Sequence, residues 1–211
     1  MRIDSRSDAL IVIDLQPDFM PGGALAVKGG DEVAAPIGRL ARRFATVVAT
    51  QDWHPRGHVS FASTQGKRPF ETMELYGGKQ TLWPDHCVAG TSGAALHPAL
   101  PDELVTLVLR KGARREVDSY SAFRENRGPD GERPPTGLAA WLKERGLQRL
   151  FVCGLARDVC VADTAVDGTA AGFTVLVIDD LTRAVDPASR ANVNAHFAAH
   201  DVQLIDSRVL L

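Results

Sequence analysis

The stretch RLFVCGLARDVCVADTAVDGTAAGFTVLVIDD, residues 149–180, sets the architecture. It opens with RLFVCG (149–154) and closes with FTVLVIDD (173–180), two apolar runs of strand length. Between them, DVCVADTAVDGTAAG (158–172) reads as a helix that starts just after the first run. The same alternation extends outward in both directions. Upstream lie ALIVID (9–14), a continuous apolar run ending in an acid, then DEVAAPIGRLARRFA (31–45) with apolar residues at helical spacing. Pro36 is expected in the first turns of that helix, where its missing N–H costs least. TVVATQD (46–52) and LVTLVLRK (104–111) read as two more strands, and TGLAAWLKERG (136–146) as a helix capped by Thr136 and stopped by Gly146. Downstream, Asp186-Pro187 opens a helix running to about His200, and VQLID (202–206) is a sixth strand. Strands alternating with helices predict an α/β fold: a three-layer, doubly wound, mainly parallel six-stranded sheet in a single domain over 1–211.

Two segments break the rhythm. Residues 53–103 are rich in Gly, Pro and His, and residues 112–135 are polar around a Gly128-Pro129-Asp130-Gly131 turn cluster. Irregular segments of this length inside a domain are usually functional or disordered, and the first, with Trp53, Phe61, Phe70, Tyr76 and Trp83, is too aromatic for simple disorder.

Composition narrows the function. Hydrophobic residues make up 45% and charged residues 24%, as in ordinary globular chains, and the net charge of −2 gives no reason to expect nucleic acid or an anionic membrane as partner. The apolar run Ala9–Ile13 is too short for a signal-peptide core or a membrane span. Three cysteines cannot all pair, so free thiols and a cytoplasmic location are expected. DLQPDFMPGG after the first strand is not a phosphate loop, and no dinucleotide or P-loop pattern occurs, so no nucleotide cofactor is expected.

Polar residues gather where strands end. Asp14, Asp52 and Lys111 close three strands, and Cys160 lies in the first turn after a fourth. Open α/β sheets bind ligands at those carboxyl ends, where strand order reverses. A lone cysteine is by default an inert core residue. At a helix N-terminus beside a lysine, however, its thiol pKa should fall and the thiolate should become a nucleophile, with Asp14 as proton acceptor and Lys111 balancing charge. Asp52 and His54, with His86 and in second rank His58, form a carboxylate–imidazole set suited to a divalent metal, Zn²⁺ first and Fe²⁺ or Mn²⁺ as alternatives. His196 and His200 share a helix face but lack the acid of a zincin motif, so they read as a solvated pair. Cys87 and Cys153 read as packing residues, and Asp179-Asp180 as caps of the sheet edge or the next turn.

Five segments carry a resemblance: VIDLQPDFMPGGALAV (12–27), TQDWHPRGHVSFAS (50–63), WPDHCVAGTSGA (83–94), LRKG (109–112) and VCGLARDVCVADTAVDG (152–168). In this order they resemble the nicotinamidase (pyrazinamidase) family of the isochorismatase-like hydrolases. The resemblance implies an Asp14–Lys111–Cys160 catalytic triad and metal ligands Asp52, His54 and His86. It implies a cis peptide at Leu155-Ala156 and an oxyanion hole from the amides of Ala156 and Cys160. It implies a substrate pocket at Phe19, Trp83, Leu155 and Tyr120. The expected activity is hydrolysis of nicotinamide, a small-molecule partner, in NAD salvage, with pyrazinamide as a further substrate and room for a homo-oligomer. Two rivals remain: an isochorismatase-like amidase for carbamoyl or ureido compounds, and a noncatalytic metal-binding scaffold on the same fold.

Overall fold

In the computed structural model, which describes residues 1–210, the elements run in chain order β1 (Asp8–Ile13), α1 (Gly30–Ala41), β2 (Val47–Asp52), β3 (Thr72–Leu75), β4 (Gly78–Thr81), β5 (Leu107–Lys111), α2 (Leu138–Glu144), β6 (Arg149–Leu155), α3 (Cys160–Ala170), β7 (Thr174–Arg183), α4 (Arg190–Ala199) and β8 (Gln203–Ile205). Six strands form one sheet in the order β5-β2-β1-β6-β7-β8, and every neighbouring pair is parallel. The chain starts in the middle with β1, builds outward through β2 and β5, then returns to the other side of β1 with β6. The reversal point therefore lies between β1 and β6, which are in register from Asp8↔Arg149 to Ile13↔Gly154.

Side chains alternate across a strand, and β1 shows what that does when both faces are covered. Leu10 and Val12 join one buried cluster; Ala9, Ile11 and Ile13 join the other. Helix α1 covers the first through Val33, Ile37 and Leu40. Helices α2, α3 and α4 cover the second through Leu142, Val161, Ala165 and Phe197. This is the three-layer arrangement expected, and no helix among the described residues is long and apolar enough to cross a membrane.

Several boundaries differ from the sequence reading, each for a local reason. Pro36 sits in the interior of α1 and not in its first turns. Glu32, whose carbonyl loses its helical partner there, is exposed, so water can serve it. Strand β5 begins at Leu107, because residues Asp102–Leu104 form a single 3₁₀ turn after Pro101. Helix α2 takes Gly137 as its cap, although Thr136 Oγ1 still accepts from the Leu138 N–H at 3.3 Å. Inside 53–103, read as irregular, β3 and β4 form a two-stranded antiparallel hairpin.

The carboxyl ends of β6 and β7 are the least regular part of the sheet. Partners run Val152↔Val177 and then Gly154↔Thr182, so β7 carries three more residues than β6 over that step. Bulges of this kind re-aim side chains near functional sites. Gly154 has φ 110°, and a Cβ there would meet the Ile13 carbonyl oxygen at 2.1 Å, so only glycine lets β6 approach β1 this closely.

Candidate active site

The parallel register decides which end residues meet. Asp52 and Lys111 are direct partners across β2 and β5, so their side chains leave the same face. Lys111 Nζ makes a close ion pair with Asp52 Oδ1, lies 2.8 Å from Asp14 Oδ2, and donates to Cys160 Sγ at 3.3 Å and to the Ser119 carbonyl at 3.3 Å. Asp14 Oδ1 accepts from Thr50 Oγ1 at 2.6 Å, and Thr50 Oγ1 accepts in turn from the Asp14 N–H at 3.0 Å. Asp14 Oδ2 is near Nζ but accepts no aligned hydrogen bond, which leaves it open to a thiol proton. Asp14, Asp52 and Cys160 bring a carboxylate oxygen or sulfur within 4.8 Å of one another. The acid, amine and sulfur expected at one rim are thus together and buried.

Their electrostatics differ from the sequence expectation. Burial is the largest influence on each group. It pushes the Asp14 carboxyl above its usual value, against Lys111 and with Asp52. At Asp52 burial acts the same way, but Lys111 and His54 outweigh it and hold the carboxylate well below the usual range. Burial opposes charge on Lys111, yet Asp14 and Asp52 keep it well above its usual value. For Cys160, burial and the two carboxylates overcome Lys111, and the thiol is pushed well up. The first-turn position was expected to lower it. That expectation is corrected, because desolvation penalises a thiolate more than one lysine shared with two acids can repay.

Beside this cluster sits the carboxylate–imidazole set. Asp52 Oδ2 lies 3.6 Å from both His54 Nε2 and His86 Nε2. Two ligands of a tetrahedral ion at about 2.0–2.1 Å are roughly 3.4 Å apart, so the three could hold one metal with little adjustment. The outer partners agree. His54 Nδ1 donates to the Gly112 carbonyl at 3.0 Å and His86 Nδ1 to the Pro84 carbonyl at 2.8 Å, which turns the Nε2 lone pairs inward. Gly112 has φ 63°, and a Cβ there would lie 2.3 Å from the His54 ring, so this carbonyl can approach only from a glycine.

His58 is placed differently. Its Nδ1 bonds Ser60 Oγ at 2.8 Å and its Nε2 bonds the Val117 carbonyl at 3.1 Å, so both ring nitrogens are engaged within the protein. Burial, then His54 alongside, pushes its pKa down to about 4. Cys87 and Cys153 are free and buried in the core, as read from the sequence.

A small, partly open cavity of about 20 Å³ touches both sets. That is room for about one water, so a ring enters only when wall side chains move. Phe19, Trp83 and Tyr120 line it as expected, with Phe19 edge-on to His86 at 5.6 Å between ring centroids. Leu155 does not line it; its side chain is buried in the core, 3.4 Å from where a Cβ on Gly30 would lie. Tyr120 is held by Gln80 Nε2 at 3.0 Å and Trp83 Nε1 at 3.3 Å. The Leu155-Ala156 peptide is cis. Among the described residues, the N–H groups of Ala156, Asp158 and Cys160 have no protein acceptor, while those of Arg157, Val159 and Val161 do; of the three, Ala156 and Cys160 line the cavity.

Sequence reasoning missed Thr50 and Gln16. Gln16 Oε1 accepts from the Asp52 N–H at 2.8 Å, and its Nε2 donates to the Asp52 and Ala94 carbonyls, both at 2.9 Å. The available signal was a polar side chain in or beside a fully buried strand. Leu25, Asp118, Val159 and Val185, which complete the wall, gave no such signal.

Comparison with known proteins adds a separate line. The isochorismatase domain model matches residues 8–208. The chain is 48% identical over 205 residues to the nicotinamidase of Acinetobacter baylyi, covering 96% of this chain and 94% of that protein. It superposes on L. infantum PnC1 in complex with nicotinate with a TM-score of 0.87 and 41% identity, over 100% of this chain and 98% of that one. It is also similar to the pyrazinamidase of Pyrococcus horikoshii in complex with zinc, with a TM-score of 0.76 and 31% identity, over 95% and 99% of the two chains.

Proposed function

The chain belongs to the isochorismatase family, on its nicotinamidase branch, and from that premise we propose that it hydrolyses nicotinamide to nicotinate and ammonia through a cysteine thioester. The observation that carries this reading is the convergence of the Cys160 sulfur, the Asp14 carboxylate and the Lys111 ammonium beside the Asp52–His54–His86 set.

The chemistry follows from the resting charges. A buried neutral thiol needs a base, and a carboxylate whose own pKa is raised is a better one. Asp14 takes the thiol proton as Cys160 Sγ attacks the amide carbon. The oxygen that becomes negative is held by the N–H groups of Ala156 and Cys160, which have no competing acceptor. Asp14 returns the proton to the leaving nitrogen; the C–N bond breaks, ammonia departs, and a thioester remains. Asp14 then draws a proton from water as its oxygen attacks the thioester carbon. The C–S bond breaks as Asp14 returns the proton to sulfur, and nicotinic acid leaves, giving its own proton to solvent to become nicotinate. Lys111 stays protonated throughout and keeps two acids and a nascent thiolate from repelling one another.

Asp52, His54 and His86 would hold a divalent metal, zinc in first place, which when bound would supply a Lewis-acid anchor for the ring nitrogen. Phe19, Trp83 and Tyr120 form the walls that hold the ring flat. Pyrazinamide, with a ring nitrogen in the same relation to its amide, is a second substrate. With three free thiols the enzyme works as one domain in the cytoplasm.

The test is ammonia release from nicotinamide by metal-replete protein. Turnover supports the reading. No release from nicotinamide, with release from a ureido compound, would replace it with the carbamoyl-amidase alternative.

A further inference from the structure

Arg157 follows the cis bond directly and precedes Cys160 by one turn of chain, yet it takes no part in the steps above. It is 2% exposed and heads the fully buried side chains by size. Its Nη2 donates to the Asp179 carboxylate and to Asn194 Oδ1 at 2.8 Å, while Nε and Nη1 have no partner among the described residues. As a device for stability this is a poor choice: a buried guanidinium with donors left over is weaker than an apolar side chain of the same shape.

Its connections suggest a different purpose. Asp179 belongs to the bulged part of β7, between the pairs Val152↔Val177 and Gly154↔Thr182, and Asn194 belongs to α4. Arg157 therefore ties the turn that carries the free amides to both elements behind it. The backbone joins in, since the Arg157 N–H donates to the Arg183 carbonyl at 2.8 Å. The next residue repeats the pattern: the Asp158 carboxylate accepts from the N–H groups of Val185 and Asp186, both at 2.9 Å. The turn is strapped down behind, while Ala156 and Cys160, whose N–H groups have no protein acceptor, line the cavity.

We propose that Arg157 is a positioning residue for the oxyanion hole: through Asp179 and Asn194 it holds the 156–160 turn so that the amides of Ala156 and Cys160 stay aimed at one point. This rests on the reading of those amides given above. Donors aimed at developing charge help the transition state far more than the ground state, so loosening the turn lowers kcat and spares KM.

The experiment compares wild type with Arg157→Met and Arg157→Lys for kcat and KM on nicotinamide. It adds binding of nicotinate and of the matching pyridine aldehyde. The Cys160 S–H adds across the aldehyde carbonyl, forming an S–C bond and placing the proton on oxygen, so that oxygen samples the hole; nicotinate forms no such adduct. Arg157→Met is expected to lose about 10- to 100-fold in kcat and in aldehyde affinity, with KM and nicotinate affinity within about twofold, and Arg157→Lys to recover part of the loss. If Arg157→Met does not fold, Asn194→Ala, which removes one acceptor, is expected to show the same split at about three- to tenfold. A folded variant with unchanged kcat, or with kcat, aldehyde and nicotinate affinity falling together, would overturn the proposal. A wild-type protein inert toward nicotinamide would overturn the parent reading instead.

Discussion

Charge gathers at both ends of the parallel strands, and the two ends are built on opposite rules. At their amino ends Asp8, 1% exposed, faces Arg149 in a two-pronged pair, with Nε to Oδ1 at 2.9 Å, and Asp8 also accepts from the Asp4 N–H at 2.7 Å. One acid meets one base, every oxygen is served, and the guanidinium reaches solvent. At the carboxyl ends one ammonium is shared by two carboxylates and a thiol, all buried, and one carboxylate oxygen is left without an aligned donor. The first arrangement closes an edge of the sheet. The second sets a carboxyl with a raised pKa close to a thiol, so a proton can pass between them.

Experiments that break the second arrangement should have the larger effects. Replacing Cys160 with Ala should abolish ammonia release, a loss of at least about 10³-fold, while leaving metal binding intact by calorimetry. Loss of metal would mean that the sulfur has been misassigned. Lys111→Met leaves two buried acids without a cation, so it should cost about 3–5 kcal/mol in denaturant unfolding as well as activity. Adding Zn²⁺ to chelator-stripped protein at about 100 times its Kd should raise stability by about 2.7 kcal/mol, read as a rise in Tm; an unchanged Tm would count against the three-ligand site.

Asp163 sharpens the comparison from a third position. It makes no ion pair or side-chain hydrogen bond among the described residues. Burial, then repulsion from Asp167, pushes its carboxyl from 3.8 to about 6. The folded state thus holds this proton more tightly than the unfolded chain. Its contribution is full below pH 3.8 and is lost as pH rises toward about 6. Asp163→Asn should therefore gain at most about 3 kcal/mol at pH 7, less where water reaches the group, and should show no gain at pH 3.5. Arg149→Met is the smallest change. Asp8 keeps its backbone donor and can draw on water through the space vacated, so about 1–2 kcal/mol is expected, with kcat unchanged. A catalytic defect there would erase the contrast between the two ends.

The fold was readable to the extent that it is written in local periodicity. Apolar runs marked all six sheet strands, and Asp14, Asp52 and Lys111 could be assigned to strand ends from those runs alone. The β3–β4 hairpin escaped because Thr72–Leu75 is half exposed and packs on no large apolar face, so it leaves no apolar run to see. Leu155 and His58 could be placed near the site but not oriented. Which way Leu155 points depends on the approach of α1, and what His58 bonds depends on Ser60 and on Val117, far along the chain.

By itself, then, the order of residues determined the layers, the strands whose ends carry the clustered acid, amine and carboxylate–imidazole groups, and the chemical types assembled there. Only the tertiary structure decided their charge states. It made Cys160 a thiol that needs a base, Asp52 a firm carboxylate and Asp14 a raised one, and it gave Arg157 two anchors across the bulge in β7. The reason is that strand and helix periods are properties of neighbours in sequence. Desolvation and Coulomb terms, in contrast, add over every group within a few ångströms, whatever its position in the chain.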